Sequence, residues 1–426
     1  QAARPGFDLT PDAARLAAEI TRRVDGLPLA IELAAARVNV LGLAELLSIV
    51  ERRLPLLDER SAADPSRTTL RGLVEWSYEL LHTDEKKLLH HVAVHRGGAS
   101  RPSLLAIAAK HGLDEATVTY LLGALVDKSI VLVSFPDGEA RYDLLDTVRD
   151  YALERIAEAG GLPAAREAHA EYFATLAEGA RTGLRALEWQ AWMKRLELDH
   201  DNLWAALTYA REAPHPLAAA RLGGGLGWYF GTAERVSEGR AFVEAALASA
   251  DEAPLPLRVE MLAYICYLAT EEDDLEAAIE AGERGLALAA TSDAPWQTAM
   301  VRLALAFAYD CAGPYERAVA LAEEARRGFD ELGDSWGAAS SAVTGALGAL
   351  RGEDISTATA LIAEGVRLHG DYDVGAIPAT LLEALLAERR GDAEAAADAY
   401  RRALGRSERA GFTEHASFAL SGLGSI

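Results

Sequence analysis

His91 and His95 stand four residues apart, the spacing that sets two imidazoles on one helix face and that some zinc sites use. No third ligand lies nearby in sequence, and Gly97-Gly98 ends the element. Asp199-His200-Asp201 has the composition of a metal cluster or a charge relay. Behind it, however, Asn202-Leu203-Trp204 opens an apolar helical face, so the plainer reading makes Asp201 a helix cap. Gly223-Gly224-Gly225-Leu226-Gly227 is glycine-rich enough for a phosphate loop, but such a loop follows a strand. No strand-like run precedes it and Trp228-Tyr229-Phe230 follows, so close helix packing or a local break is expected.

Nucleophilic chemistry has little to rest on. There is no Gly-x-Ser-x-Gly, and Glu271-Glu272-Asp273-Asp274 reads as a solvated turn. No G-x-x-x-x-G-K-[ST] occurs. The nearest Lys-Ser, Lys128-Ser129, follows Asp127 where a phosphate cradle needs glycine. Catalysis is not expected of this segment, nor is a bound cofactor or metal. Cys266 and Cys311 sit in separate apolar stretches and read as buried thiols; such sparse usage points to a reducing, cytoplasmic compartment.

The 426 residues exceed what one compact core accommodates and predict several domains. Half are apolar (50%) and a quarter charged (25%), the balance of a folded, soluble chain. The formal charge of −23 repels phosphate backbones over the surface as a whole. Apolar runs such as Leu262-Ala263-Tyr264-Ile265-Cys266-Tyr267-Leu268-Ala269 fall far short of the ~20 residues that span a bilayer, so no membrane association is expected. Gln1-Ala2-Ala3-Arg4-Pro5 carries neither an initiator Met nor a secretion pattern, and reads as a cut from a longer protein.

The elements that position these residues are mainly helices. Thr10-Pro11-Asp12 starts one with Ala13, Leu16, Ala17, Ile20 and Val24 on one face; Gly26 stops it, and Pro28 opens the next. Residues 1–62 are thus expected to form a small helical bundle. Over 63–160, Thr83 and Asp114 read as caps, and Pro102 opens another helix. Ile130-Val131-Leu132-Val133 and Arg141-Tyr142-Asp143-Leu144 flank the turn-rich Phe135-Pro136-Asp137-Gly138. Three helices and a β-hairpin predict a winged helix, followed by a helix from Asp146 to about Glu158. A winged helix invites DNA binding, but Ala116 to Asp127, the helix that would enter the groove, offers no Arg, Lys, Asn or Gln for base edges. An interdomain clamp is the favoured role.

A helical spacer is expected over 161–250, running into the first repeat. Repeats then become visible. Val236, Leu275, Tyr315, Ile355 and Ala393 are spaced 39, 40, 40 and 38 residues apart. Three residues after each stands Gly239, Ala278, Ala318, Ala358 or Ala396, small enough to let two helices cross closely. A period of about forty predicts tetratricopeptide-like helical hairpins, assigned to 251–426, stacking into an α-solenoid with a concave binding surface. Tyr264, Tyr267, Phe307 and Tyr309 fall on the first helices of successive repeats, where they either line a ligand groove or pack the repeat core.

Three segments carry a resemblance: Asp25-Gly26-Leu27-Pro28-Leu29-Ala30-Ile31-Glu32-Leu33, Leu73-Val74-Glu75-Trp76-Ser77-Tyr78-Glu79-Leu80-Leu81, and Arg141-Tyr142-Asp143-Leu144-Leu145-Asp146-Thr147-Val148-Arg149-Asp150-Tyr151-Ala152. Together they resemble the signal-transducing STAND NTPases of bacteria, the group of large antibiotic-pathway activators and LuxR-type regulators. Glu197-Leu198-Asp199-His200-Asp201-Asn202-Leu203 is similar to the spacer of that group. The resemblance covers roughly residues 1–250. It implies a nucleotide-binding domain ahead of this segment, ATP or ADP with Mg in the full-length protein, and an effector domain. It also implies an inducer or protein partner on the repeats, with oligomerisation on activation as an option. Gly26 and Pro28 would contact the nucleotide only together with that NTPase domain. A related plant and animal pattern has a His that senses ADP where this chain reads Leu144-Leu145-Asp146, so that route is not implied. The alternative settings are the regulatory middle of a multidomain enzyme such as a nucleotide cyclase, and a stand-alone scaffold.

Overall fold

The computed structural model describes residues 10–24, 28–53, 65–213, 215–370 and 373–426. It is mainly α, with one small sheet. Two compact units emerge, one formed by 1–172 with 199–206 and the other by 173–198 with 207–426.

In the first unit, α1 (Pro11–Arg23) starts as its sequence dictates: the Thr10 hydroxyl accepts from the Ala13 amide at 3.2 Å. With α2 (Pro28–Leu41), α3 (Leu43–Arg53) and α4 (Pro65–Glu79) it encloses a core of Ile20, Val24, Ala34, Leu46, Val50, Leu73 and Trp76. Asp25, Gly26 and Leu27 lie outside the described residues. Next come α5 (Thr83–Ala93), β1 (Ala99–Ser100), α6 (Arg101–Lys110), α7 (Glu115–Asp127), β2 (Leu132–Ser134), β3 (Arg141–Asp143) and α8 (Asp146–Glu158).

The sheet is antiparallel with order β1-β3-β2, pairing Ala99 with Tyr142 and Leu132 with Asp143. β1 was not expected, since two residues are too few to show alternation. The run Ile130 to Val133 divides: Ile130 and Val131 are buried, and their amides donate to the Leu125 carbonyl at 3.1 and 3.3 Å. Thr83 is not the cap of α5. His82 holds that position, and its amide donates to Glu85 Oε2 at 2.9 Å, because Glu85 stands where a capping box needs it.

In the second unit the repeat helices pair as expected. They are α12 (Pro216–Thr232) with α13 (Val236–Leu247), α14 (Leu255–Glu271) with α15 (Leu275–Ala289), α16 (Pro295–Ala312) with α17 (Tyr315–Glu331), α18 (Ser335–Arg351) with α19 (Ile355–His369), and α20 (Asp373–Arg389) with α21 (Ala393–Ala410). A single helix, α22 (Thr413–Ser425), packs on α21. The five residues aligned by period begin the five second helices, and Gly239, Ala278, Ala318, Ala358 and Ala396 are all buried. At Asp274, Asp354 and Asp392 the carboxylate caps the following helix. Ahead of the repeats run α9 (Leu162–Gly183), α10 (Trp189–Leu198) and α11 (His200–Glu212), of which 173–198 and 207–212 belong to this unit. Among the described residues no helix is long and apolar enough to cross a membrane.

Candidate ligand-recognition site

The first helices α12, α14, α16, α18 and α20 contact one another in an unbroken series, whereas successive second helices make no contacts of that extent. The stack therefore curves with its first helices inside. Glycine makes this layer tight: a Cβ on Gly227 of α12 would fall 2.1 Å from Tyr264 Cγ of α14, and one on Gly225 would fall 2.3 Å from the Ala177 carbonyl oxygen of α9. The Gly223 to Gly227 run is thus helix interior in close packing, not a loop.

On the inside, Trp296 and Trp336 occupy the second positions of α16 and α18. Between those helices, Asp334 accepts the Trp296 indole N–H on Oδ2 at 2.7 Å and the Gly337 amide on Oδ1 at 3.0 Å. Trp228 of α12 meets Trp336 edge-on, with ring centroids 5.0 Å apart. Arg185 comes from the irregular turn 184–188 between α9 and α10. Its guanidinium carbon lies 4.6 Å from the Trp296 ring centroid and 5.0 Å from that of Trp336, and its Nη1 is 3.5 Å from Asp334 Oδ2. One turn earlier on α9, Arg181 Nε reaches Glu260 Oε1 of α14 at 2.9 Å. Burial pushes the Glu260 carboxyl up to about 7 despite the neighbouring arginines. Two aromatic walls, a carboxylate held by Trp296 and the Gly337 amide, and a second, buried carboxyl make a cation-recognition box.

The four aromatics anticipated for a ligand groove separate. Tyr267 and Phe307 remain partly exposed, with ring centroids 6.2 Å apart, and Tyr267 lies 5.5 Å from Trp228. Tyr264 is buried against Gly227. Tyr309 faces the second helices, donating to Glu283 Oε1 of α15 at 2.9 Å under the Arg317 guanidinium of α17. Trp296, Trp336, Asp334, Glu260 and Arg185 were not anticipated. One signal was available: Trp296 and Trp336 share a register position, forty residues apart. Pro28 opens α2, and Gly26 falls outside the described residues.

Of the other polar candidates, His91, His95, Asp199 and Asn202 are buried in the first unit, whereas Asp201 is exposed. The His91 ring is 4.6 Å from that of His111, and the His95 ring is 4.9 Å from that of His169. Burial pushes His91 down to about 3, His169 down to about 4, and His95 well below the usual imidazole range. Asp199, not Asp201, precedes α11: its carbonyl accepts the Leu203 amide at 3.0 Å, while its carboxylate pairs with Arg141 of β3 at 3.0 Å. Asn202 donates to the Gly98 carbonyl at 2.9 Å and accepts the Arg96 amide at 2.8 Å. Arg149 reaches the carbonyls of Ala93 and His95 and the Asp143 carboxylate. The exposed side of α7 carries Glu115, Thr119, Tyr120 and Asp127 and no cation. Burial raises both cysteine thiols.

The fold is that of a mainly α protein built on tetratricopeptide-like repeats. No protein-family model matches the chain. It is 36% identical over 225 residues to the "Putative HTH-type transcriptional regulator" of Mycobacterium tuberculosis H37Rv, covering 52% of this chain and 25% of that protein. The chain thus spans about a quarter of that relative's length. An uncharacterised protein of the same organism is 41% identical over 160 residues, covering 37% of this chain and 40% of that protein. Among solved structures, the Signal Transduction ATPase with Numerous Domains protein with a tetratricopeptide repeat sensor from Pyrococcus horikoshii aligns with a TM-score of 0.48 at 12% identity, over 93% of this chain and 62% of that one.

Proposed function

We propose that this chain is the regulatory and sensor portion of a STAND-type NTPase transcriptional regulator, binding an inducer or partner protein on the inner face of its repeats. The observation that carries the reading is the box formed by Trp296, Trp336 and Asp334, in which two aromatic rings and a carboxylate converge on one guanidinium at the inner face. The likeness to an HTH-type regulator supports the same setting. Ligand binding would bias one arrangement of domains over another and so control an NTPase switch.

ATP, ADP and Mg belong in this reading to an NTPase domain outside the chain. The described residues do not fit a nucleotide by themselves: the glycine-rich run lies inside α12, where it is helix and not a phosphate loop. The winged-helix reading of the α5 to β3 region gives that region the role of a clamp between domains. The proposed regulator would work in the cytoplasm.

The test is a transcriptional reporter driven by the full-length protein. Trp336→Ala is expected to abolish the response to inducer at unchanged protein level. An undiminished response would remove the inner face from the mechanism.

A further inference from the structure

Arg185 occupies the Trp296, Trp336 and Asp334 box in cis, yet the box does not depend on it. Asp334 is fixed by the Trp296 indole N–H at 2.7 Å and the Gly337 amide at 3.0 Å, whereas its contact with Arg185 is 3.5 Å long. Trp336 is braced by Trp228. The walls and the carboxylate are therefore pre-organised without the cation; Arg185 is held mainly from its own segment, its Nε donating to the Arg181 carbonyl at 2.7 Å. Arg185 is also borne on the turn 184–188, outside any helix. Leu187 in the same turn is 68% exposed.

We infer that this box is a binding site for the arginine side chain of a peptide or protein partner, and that Arg185 is an intramolecular placeholder which that arginine displaces. The inference rests on the reading of the inner face as the ligand face and names its ligand class. Two ring faces within about 5 Å of one guanidinium carbon select a planar, stackable cation over a compact ammonium. Asp334 supplies the matching charge. A peptide, rather than a free guanidinium compound, is indicated by two further groups: the indole N–H groups of Trp228 and Trp336 are buried and have no acceptor among the described residues. Buried donors of this kind are costly unless a ligand satisfies them, and peptide carbonyls are the matching acceptors. The neighbouring carboxyl of Glu260 already faces Arg181, so the box takes one cation at a time.

The turn tethers Arg185 next to its site at an effective concentration of order millimolar, which masks affinity for any competing arginine. Removal of the side chain unmasks it. The experiment titrates the peptide acetyl-Gly-Arg-Gly-amide, and its lysine counterpart, into the whole chain by calorimetry and tryptophan fluorescence. Arg185→Ala is expected to bind the arginine peptide at least ~10-fold more tightly than the parent chain, with little gain for the lysine peptide. Adding Asp334→Asn to that variant is expected to abolish the gain. Equal affinity of parent and variant, or equal binding of the lysine peptide, would overturn the inference. Arg185→Gln keeps the length of the side chain and serves if the alanine variant fails to fold. Failure of both to fold also overturns it, since a placeholder must be removable. If the arginine peptide fails while Trp336→Ala still abolishes the reporter response, the arginine assignment falls and the inner-face reading stands. If neither has an effect, both fall.

Discussion

Arg141 on β3 and Asp199 at the head of α11 form a buried ion pair, 3.0 Å between Nη2 and Oδ1, across 58 residues of sequence. Both are also tied to backbone or amide groups: Arg141 Nε donates to the Gly97 carbonyl at 2.8 Å, and Asn202 Nδ2 donates to Asp199 Oδ1 at 3.2 Å. Removing one partner leaves the other charge buried without its counter-ion. Arg141→Met or Asp199→Leu alone is expected to cost about 3 to 5 kcal/mol, and the double variant less than the sum, because a well-packed apolar pair tolerates burial. Urea unfolding of the three variants measures this. A single substitution costing under about 1 kcal/mol would show that the pair is not desolvated as the structure has it.

Histidines buried or half-buried in the first unit are expected to make it sensitive to acid. His169, pushed down to about 4, His90, also pushed down to about 4, and His95, held well below its usual range, are neutral when folded and titrate at about 6.5 when unfolded. A depressed folded pKa means full stability above pH 6.5 and progressive loss as pH falls toward 4. His169 alone is expected to remove about 2 kcal/mol by pH 5. His169→Gln should shrink the fall in urea midpoint between pH 7 and pH 5; an unchanged fall would assign the acid sensitivity elsewhere.

Glu260 has the opposite sign. Its carboxyl is raised to about 7, so the folded repeats bind a proton that the unfolded chain releases near its ordinary value of 4.5. The stability linked to it is complete below about 4.5 and declines as pH rises through about 7. Replacing it by Gln removes that slope, and the stability of Glu260→Gln relative to the parent should grow by about 2 to 3 kcal/mol between pH 5 and pH 8. A difference that stays constant with pH would mean that Arg181 keeps Glu260 ionised throughout.

Glycine to alanine is expected to act in opposite directions at two helical sites. Gly123 on α7 is exposed and has nothing within 4 Å of where an added methyl would stand, so Gly123→Ala should stabilise by about 0.5 to 1 kcal/mol through the unfolded state. At Gly227 the new methyl would fall 2.1 Å from the Tyr264 ring, and the helix gain is outweighed by forcing α12 from α14. A fall in Tm is expected there, measured by circular dichroism, with a rise at Gly123. Two rises would show that α12 and α14 can separate freely.

The repeat half was largely legible in the sequence. Breakers, aspartate caps and small residues at a fixed offset act within a turn or two of where they stand, so Val236, Leu275, Tyr315, Ile355 and Ala393 could be placed as helix starts by local chemistry alone. The same holds for Thr10 before α1 and Asp114 before α7. What tertiary structure decided is which distant side chains meet. β1 exists because β3 is there to pair with it, and two residues carry no period of their own. Arg185 reaches Trp296 and Trp336, more than a hundred residues on, through the curvature of the whole stack, and Arg141 finds Asp199 only once the sheet and α11 are folded. Local signals specify where helices begin and which face is apolar. The pairing of a particular cation with a particular ring or carboxylate depends on the relative placement of elements, which no short stretch of sequence encodes.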